Sequence, residues 1–231
     1  MLCLSLAACR AEARPGVSRV WPVMETMMSA AAWGSDSTRV AHALTAAYDS
    51  VDHVDSLIQR RGRAPIAALD SMRREIRRRT GVALSIDSIA AGYALDRAAR
   101  ALAGVVDSAL LDIGGQYYWV GPADHPTHRA VGVPDPDNTL RTIAVIDLQD
   151  GSVRTASQRN APRGAARSVT VLAGEGLTAS AWAAALLQLG CDRALLLAQG
   201  MHAICADSAG VRWATGLQNR VSLPPPAARA P

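Results

Sequence analysis

The chain has 231 residues, 49% hydrophobic and 19% charged, with 18 glycines, 12 prolines and a formal net charge of +4. That is enough apolar material for a globular core, and too much for a chain that stays disordered. Phenylalanine is absent and every one of the 24 basic residues is arginine, which excludes chemistry that needs a lysine amine, such as a Schiff base or a phosphate-loop lysine.

In chain order, Leu6-Ala7-Ala8-Cys9 has the form of a bacterial lipobox, preceded by the apolar segment Leu2 to Ala8 and followed by a short polar tether, Arg10 to Gly16. Residues 1–16 are therefore expected to be a lipoprotein signal and tether, with Cys9 as the lipidated residue. No apolar run approaches the ~20 residues of a bilayer-spanning helix. Residues 37–58 carry Val40, Leu44, Ala47, Val51, Val54, Leu57 and Ile58 at helical spacing, with Asp36 or Ser37 as the N-cap. A second helix is expected from Leu69 to Arg79, stopped by Gly81, and a third from Ile89 to Ala103, closed by Gly104.

The period then changes. Ala109–Ile113, Tyr117–Val120, His128–Val133, Thr142–Asp147, Ser152–Thr155 and Ser168–Leu172 are short runs rich in β-formers, separated by Gly, Pro and Asp turns. Helices return at Ala179–Leu189 and Asp192–Ala198. A hairpin follows, with Met201–Asp207 and Val211–Ala214 around Ser208-Ala209-Gly210. Pro224-Pro225-Pro226 opens a tail over 223–231. The expected architecture is an α+β domain over residues 17–222, with a mostly antiparallel sheet and flanking helices.

Charge and cysteines narrow the chemistry further. Residues 60–79 hold eight arginines against Asp70 and Glu75, a solvated helix face with no aromatic side chain to stack on bases. Nucleic acid is not expected as a partner. The cysteines, Cys3, Cys9, Cys191 and Cys205, form no C-x-x-C pair, so zinc-ribbon and thioredoxin-like readings fail on spacing. Whether Cys191 and Cys205 bond is left open. Asp124-His125-Pro126-Thr127-His128 reads as a loop, and His42, His53 and His202 complete no catalytic triad. Leu111-Asp112-Ile113-Gly114-Gly115 sets an acid and two glycines at the end of a strand, where backbone amides can approach a phosphate or sugar.

Several segments, in order, resemble the FAD:protein FMN transferases, the ApbE-like family. Ser85-Ile86-Asp87-Ser88-Ile89-Ala90-Ala91-Gly92-Tyr93-Ala94-Leu95-Asp96-Arg97-Ala98 is similar to D-L-G-G-I-A-K-G-Y-A-V-D-R-A, and Ala109 to Gly115 to A-L-V-D-I-G-G. Gly132 to Pro136 resembles G-I-x-x-P, Gly151 to Ser157 resembles G-x-V-A-T-S-G, and Ser168 to Leu172 fits S-V-T-V-x-A. Ala179 to Leu186 resembles A-D-A-W-x-T-x-L, and Met24-Glu25-Thr26 stands where the family has M-G-T.

The resemblance implies an ApbE-like fold, shortened, and transfer of FMN from FAD onto a Thr or Ser hydroxyl of an acceptor flavoprotein subunit, releasing AMP. It implies FAD contacts at Met24, Thr26, Ser85, Ala91, Asp112, Gly114 and Gly115, and a Mg²⁺ site at Ser88, Ser180 and Ala184. It also implies a place in the cell envelope on the periplasmic side, held to the membrane only through the lipid on Cys9. The sequence departs from the pattern at those positions. The metal Asp is Ser180, the metal Thr is Ala184, an intervening acid is Ala183, the flavin-contacting Lys is Ala91, and the M-G-T glycine is Glu25. The F-D-I-T-V-G-P-L region between Gln59 and Leu84 is missing. So is the H-x-I-D-P-x-T-G loop, replaced by an Arg-rich stretch from Gln158 to Gly164. Two activities are compatible with this: a compact transferase in which Arg159, Arg163 or Arg167 holds the pyrophosphate, or an inactive member serving as a flavin-binding or partner-binding module.

Overall fold

The computed structural model describes residues 16–60, 66–122, 130–149, 151–158, 162, 164–198, 201–214, 217 and 220–222. The lipobox, the Asp124–His128 loop and the proline tail lie outside them.

The first two elements are strands that the sequence pattern did not single out, β1 (Gly16–Val23) and β2 (Thr26–Trp33), joined by the turn Met24-Glu25. Strand β2 reads Thr-Met-Met-Ser-Ala-Ala-Ala-Trp, poor in β-branched residues. Its period of two shows only in burial, with Met28, Ala30 and Ala32 inside. Helix α1 (Ser37–Gln59) follows the expected spacing; Asp36 is its N-cap, accepting from the Thr38 and Arg39 amides at 2.9 and 3.2 Å. Helix α2 (Ala67–Thr80) ends at Gly81 in the left-handed region (φ 79°), as its glycine foretold. Helix α3 (Asp87–Leu102) begins two residues before the expected Ile89.

Strands β3 (Ser108–Ile113), β4 (Gln116–Val120), β5 (Ala130–Pro134), β6 (Thr142–Asp147), β7 (Gly151–Ser157) and β8 (Ser168–Ala173) come next, then helices α4 (Gly176–Leu189) and α5 (Cys191–Leu197). The chain closes with β9 (His202–Asp207), β10 (Gly210–Trp213) and β11 (Val221–Ser222). An eight-stranded sheet runs β1-β2-β3-β4-β7-β8-β9-β10 and a three-stranded one β11-β6-β5. Every described pairing is antiparallel. This is the α+β architecture expected, with helices flanking a large antiparallel sheet.

Three clusters make the core. One joins α1 and α3 to the β1–β3 end of the large sheet, through Leu44, Val51, Leu95 and Leu111. A second joins α2, α4 and α5 to β8 and β9, through Ile76, Trp182, Leu186 and Val171. The third packs the small sheet on the large one around Trp119, Val133, Ile146 and Val153. In the second cluster, Cys191 on α5 and Cys205 on β9 form a disulfide, with Cα atoms 5.6 Å apart. The sequence left that pairing open.

Helices α3 and α4 approach closely at two glycines. A Cβ on Gly92 would lie 2.2 Å from the Gly176 carbonyl oxygen, so only glycine fits there. One turn further along α3, buried Asp96 accepts from the amides of Gly176 and Leu177 at 2.7 and 2.9 Å. It caps α4 from the neighbouring helix, since Glu175 at the N-cap position makes no side-chain bond. Among the described residues no helix is long and apolar enough to cross a membrane.

Candidate functional site

Because β2 pairs with β3, the turns Met24-Glu25 and Gly114-Gly115 lie at the same end of the sheet, with Met28 opposite Ile113. Both are two-residue hairpin turns with positive φ at each central residue, 50° and 59° in the first, 55° and 79° in the second. The second turn has the glycines this geometry favours; the first uses Met24 and Glu25 instead. The Met24 amide donates to the Asp55 carboxylate on α1 at 2.8 Å, which fixes the first turn against that helix.

Two cavities open around these turns. The larger, about 870 Å³, is lined by Met24, Glu25, Thr26, Asp55, Ile58, Asp87 and Ala91, among others. The smaller, about 590 Å³, lies between the sheets and the α3 and α4 helices, with Ser88, Gly115, Tyr117, Thr142, Ser180 and Ala184 in its wall. Gly114 and Arg154 line both, so the cavities meet at that pair. Arg154 Nη1 donates to the Gly114 carbonyl at 3.0 Å. Asp112 lies below the turn and accepts from the Gly115 amide at 2.9 Å.

Burial shifts the titration of three groups here. It pushes the Asp112 carboxyl above its usual range, against the Gly115 amide and the Arg154 charge, which pull it down. Burial also lowers the Arg154 pKa, opposed by Asp112. The Tyr117 hydroxyl is pushed up by burial and by the Asp112 charge.

The model of the ApbE family matches residues 22–161, more than half of the chain. The chain belongs to the ApbE family. Solved structures with the same fold include the flavin transferase ApbE from Vibrio cholerae, at 14% identity and TM-score 0.66, covering 90% of this chain and all of the other. The ApbE protein from Thermotoga maritima aligns at 16% identity and TM-score 0.66, covering 88% of this chain and 98% of its own. The apo form of the Pseudomonas stutzeri flavinyl transferase ApbE aligns at 15% identity and TM-score 0.69, covering 90% and 98%. At these identities the likeness shows the fold. No curated protein matches the chain significantly.

The ApbE-pattern residues fall into three groups. Met24, Thr26 and Ala91 line the larger cavity, Gly115 the smaller and Gly114 both. Ser85 and Asp112 line neither and instead shape backbone, Ser85 Oγ accepting from the Ser88 amide at 3.2 Å. The three metal positions, Ser88, Ser180 and Ala184, do come together on the wall of the smaller cavity.

Their chemistry does not fit Mg²⁺, a hard cation that needs several oxygen ligands, normally including a carboxylate. Ala184 has no donor. Ser180 Oγ is buried and donates to Gln116 Oε1 at 2.6 Å. Gln116 Nε2 in turn reaches the Gly176 carbonyl at 2.9 Å and Ser152 Oγ at 3.2 Å. Ser88 Oγ donates to the Ser85 carbonyl at 2.8 Å. Among the described residues no group of three His, Cys, Asp or Glu side chains could hold a metal ion. The side chains at these three positions therefore do not supply a Mg²⁺ donor set: a hydroxyl–amide network stands where the ApbE pattern has charged ligands.

Of the three expected pyrophosphate arginines, Arg167 lies within the described residues. Arg159 and Arg163 lie outside the described residues, and Arg167 pairs with Asp137, lining neither cavity. Among the described residues the cation lining both cavities is Arg154, which the sequence pattern did not single out. Its signal was present, an arginine standing at the alanine of G-x-V-A-T-S-G.

Proposed function

We propose that this ApbE-family chain binds FAD across the two joined cavities without a metal, as a flavin-binding module that has given up metal-dependent FMN transfer. The observation that carries this reading is the Ser180–Gln116 bond beside Ala184: the carboxylate that would neutralise phosphate charge through a metal is replaced by neutral, mutually satisfied groups. The glycine turn between the cavities leaves backbone free to approach a ligand closely, which suits the middle of a dinucleotide.

The test has two parts. FAD is titrated against purified protein in EDTA and in Mg²⁺. Then FAD, protein and an acceptor flavoprotein domain with a target Thr or Ser are incubated and resolved on a denaturing gel. Equal affinity in EDTA and Mg²⁺, with no flavin fluorescence on the denatured acceptor, is the expected result. Failure to bind FAD overturns the reading.

A second reading is favoured by one feature, the half-buried guanidinium of Arg154 on the walls of both cavities. In it FMN passes from FAD to the acceptor hydroxyl, with AMP leaving and arginine supplying the positive charge. Covalent flavin on the acceptor in EDTA would establish this transfer. We place the protein in the cell envelope, on the periplasmic side; the lipobox at Cys9 and the Cys191–Cys205 disulfide both support an oxidising, extracytoplasmic setting. Labelling with a radioactive fatty acid, lost on Cys9→Ser, tests the anchor.

A further inference from the structure

We propose that Arg154 is the phosphate-binding group of the site, taking the diphosphate of a dinucleotide at the junction of the two cavities. The inference rests on the reading of the joined cavities as a ligand site.

Three observations carry it. Arg154 and Gly114 are shared by both cavity walls, so a ligand with one arm in each must pass the guanidinium at its middle. Arg154 sits opposite Gln116 in the β4–β7 register, and directly paired residues share a face of the sheet. That face carries α4, because Gln116 bonds to Gly176 and Ser180 there. The arginine therefore enters the cavity beside Ser180 and Ala184, where the ApbE pattern keeps its metal.

The third observation is unused donor capacity. A guanidinium has five N–H groups, and the bond to the Gly114 carbonyl is the only hydrogen bond the Arg154 side chain makes among the described residues. None of its nitrogens is sealed away without a partner, so the remaining donors open to the cavities. Asp112 is near enough to act on its charge but forms no ion pair with it. A planar fork of donors beside an approachable glycine turn suits phosphate oxygens, which it can hold bidentately.

The experiment measures binding of FAD, riboflavin and inorganic pyrophosphate, all in EDTA, to wild type, Arg154→Met and Arg154→Lys. Arg154→Met should weaken FAD and pyrophosphate about ten- to a hundredfold, the range of one or two charge-assisted bonds, and change riboflavin by less than about twofold. Arg154→Lys should recover part of the loss, because charge returns without the fork. Raising salt should weaken FAD on wild type more than on Arg154→Met.

Unchanged FAD binding in Arg154→Met overturns the proposal. So does equal loss of riboflavin and FAD, which would make the arginine a scaffold for Gly114 alone. Pyrophosphate binding that depends on Arg154 without any FAD binding would keep the proposal and remove the flavin reading. Binding of neither on wild type removes both.

Discussion

Gln116 and Arg154 stand directly opposite one another on β4 and β7, yet one is fully engaged and the other largely free. Gln116 accepts from Ser180 and donates to Ser152 and Gly176, closing its end of the network. Arg154 spends one donor on Gly114 and leaves the rest to the cavities. The floor of the site thus has a neutral, sealed half and a cationic, open half.

Gln116→Leu should reveal what the sealed half contributes. It strips partners from the Gly176 carbonyl and the Ser180 hydroxyl, both in the interior, and each such loss costs about 1–3 kcal/mol. A destabilisation of about 3 kcal/mol in urea unfolding is expected; a change below about 0.5 kcal/mol would show that water replaces the amide.

The pH dependence follows from Asp112. Its carboxyl is held above the ordinary value of 3.8 by burial, with the Gly115 amide and Arg154 opposing. As pH falls through that raised value the carboxylate becomes neutral, the Arg154 charge is less compensated, and FAD should bind more tightly. Asp112→Asn keeps an acceptor for the Gly115 amide and should flatten the profile above pH 3.8, where the raised carboxyl titrates. Folding has a related sign. The folded form holds this proton more strongly than the unfolded one, so the contribution is complete below 3.8 and lost as pH rises through the raised value. A wild-type affinity that weakens on acidification would contradict the assignment.

Glu25 at φ 59° occupies a conformation that disfavours side chains with a Cβ. Glu25→Gly should stabilise the protein by about 1 kcal/mol, since the left-handed region costs L-residues roughly 1–2 kcal/mol. Part of this is returned through the greater freedom of glycine in the unfolded chain. Thermal unfolding of the two proteins side by side is sufficient to see it.

The Cys191–Cys205 bond closes a loop with a sequence separation of 14. Replacing both cysteines by alanine should lower unfolding free energy by about 3 kcal/mol, as loop-closure entropy predicts. Reduction of wild type should give a similar loss. If the reduced protein unfolds at the same denaturant concentration, the bond is not formed in solution.

What was legible in the sequence divides by range. Helix α1 was plain because Val40, Leu44, Ala47, Val51 and Val54 recur at one helical spacing, and all five are buried. The stop at Gly81 and the glycine turn after β3 were equally local signals. The β1–β2 hairpin was not legible: alanines and methionines replace the usual strand formers, and Met24-Glu25 lacks the turn residues such a hairpin normally announces. The disulfide depends on α5 meeting β9 in space. Arg154 was missed because the Arg-rich stretch nearby drew attention by density, whereas which face an arginine takes is decided by strand register with Gln116.

The interlock of Gly92 with Gly176, together with the Asp96 cap, bears on how this site could change at all. Helices α3 and α4 are fastened by the glycine-to-glycine backbone contact and by the Asp96 carboxylate on the α4 amides, so protein contacts alone set where Ser88 on one and Ser180 and Ala184 on the other stand. A scaffold whose walls were held by a metal would loosen once its ligands were exchanged. Here residues 180 and 184 can be exchanged without unfastening the frame, which keeps the shape of the cavity wall they line.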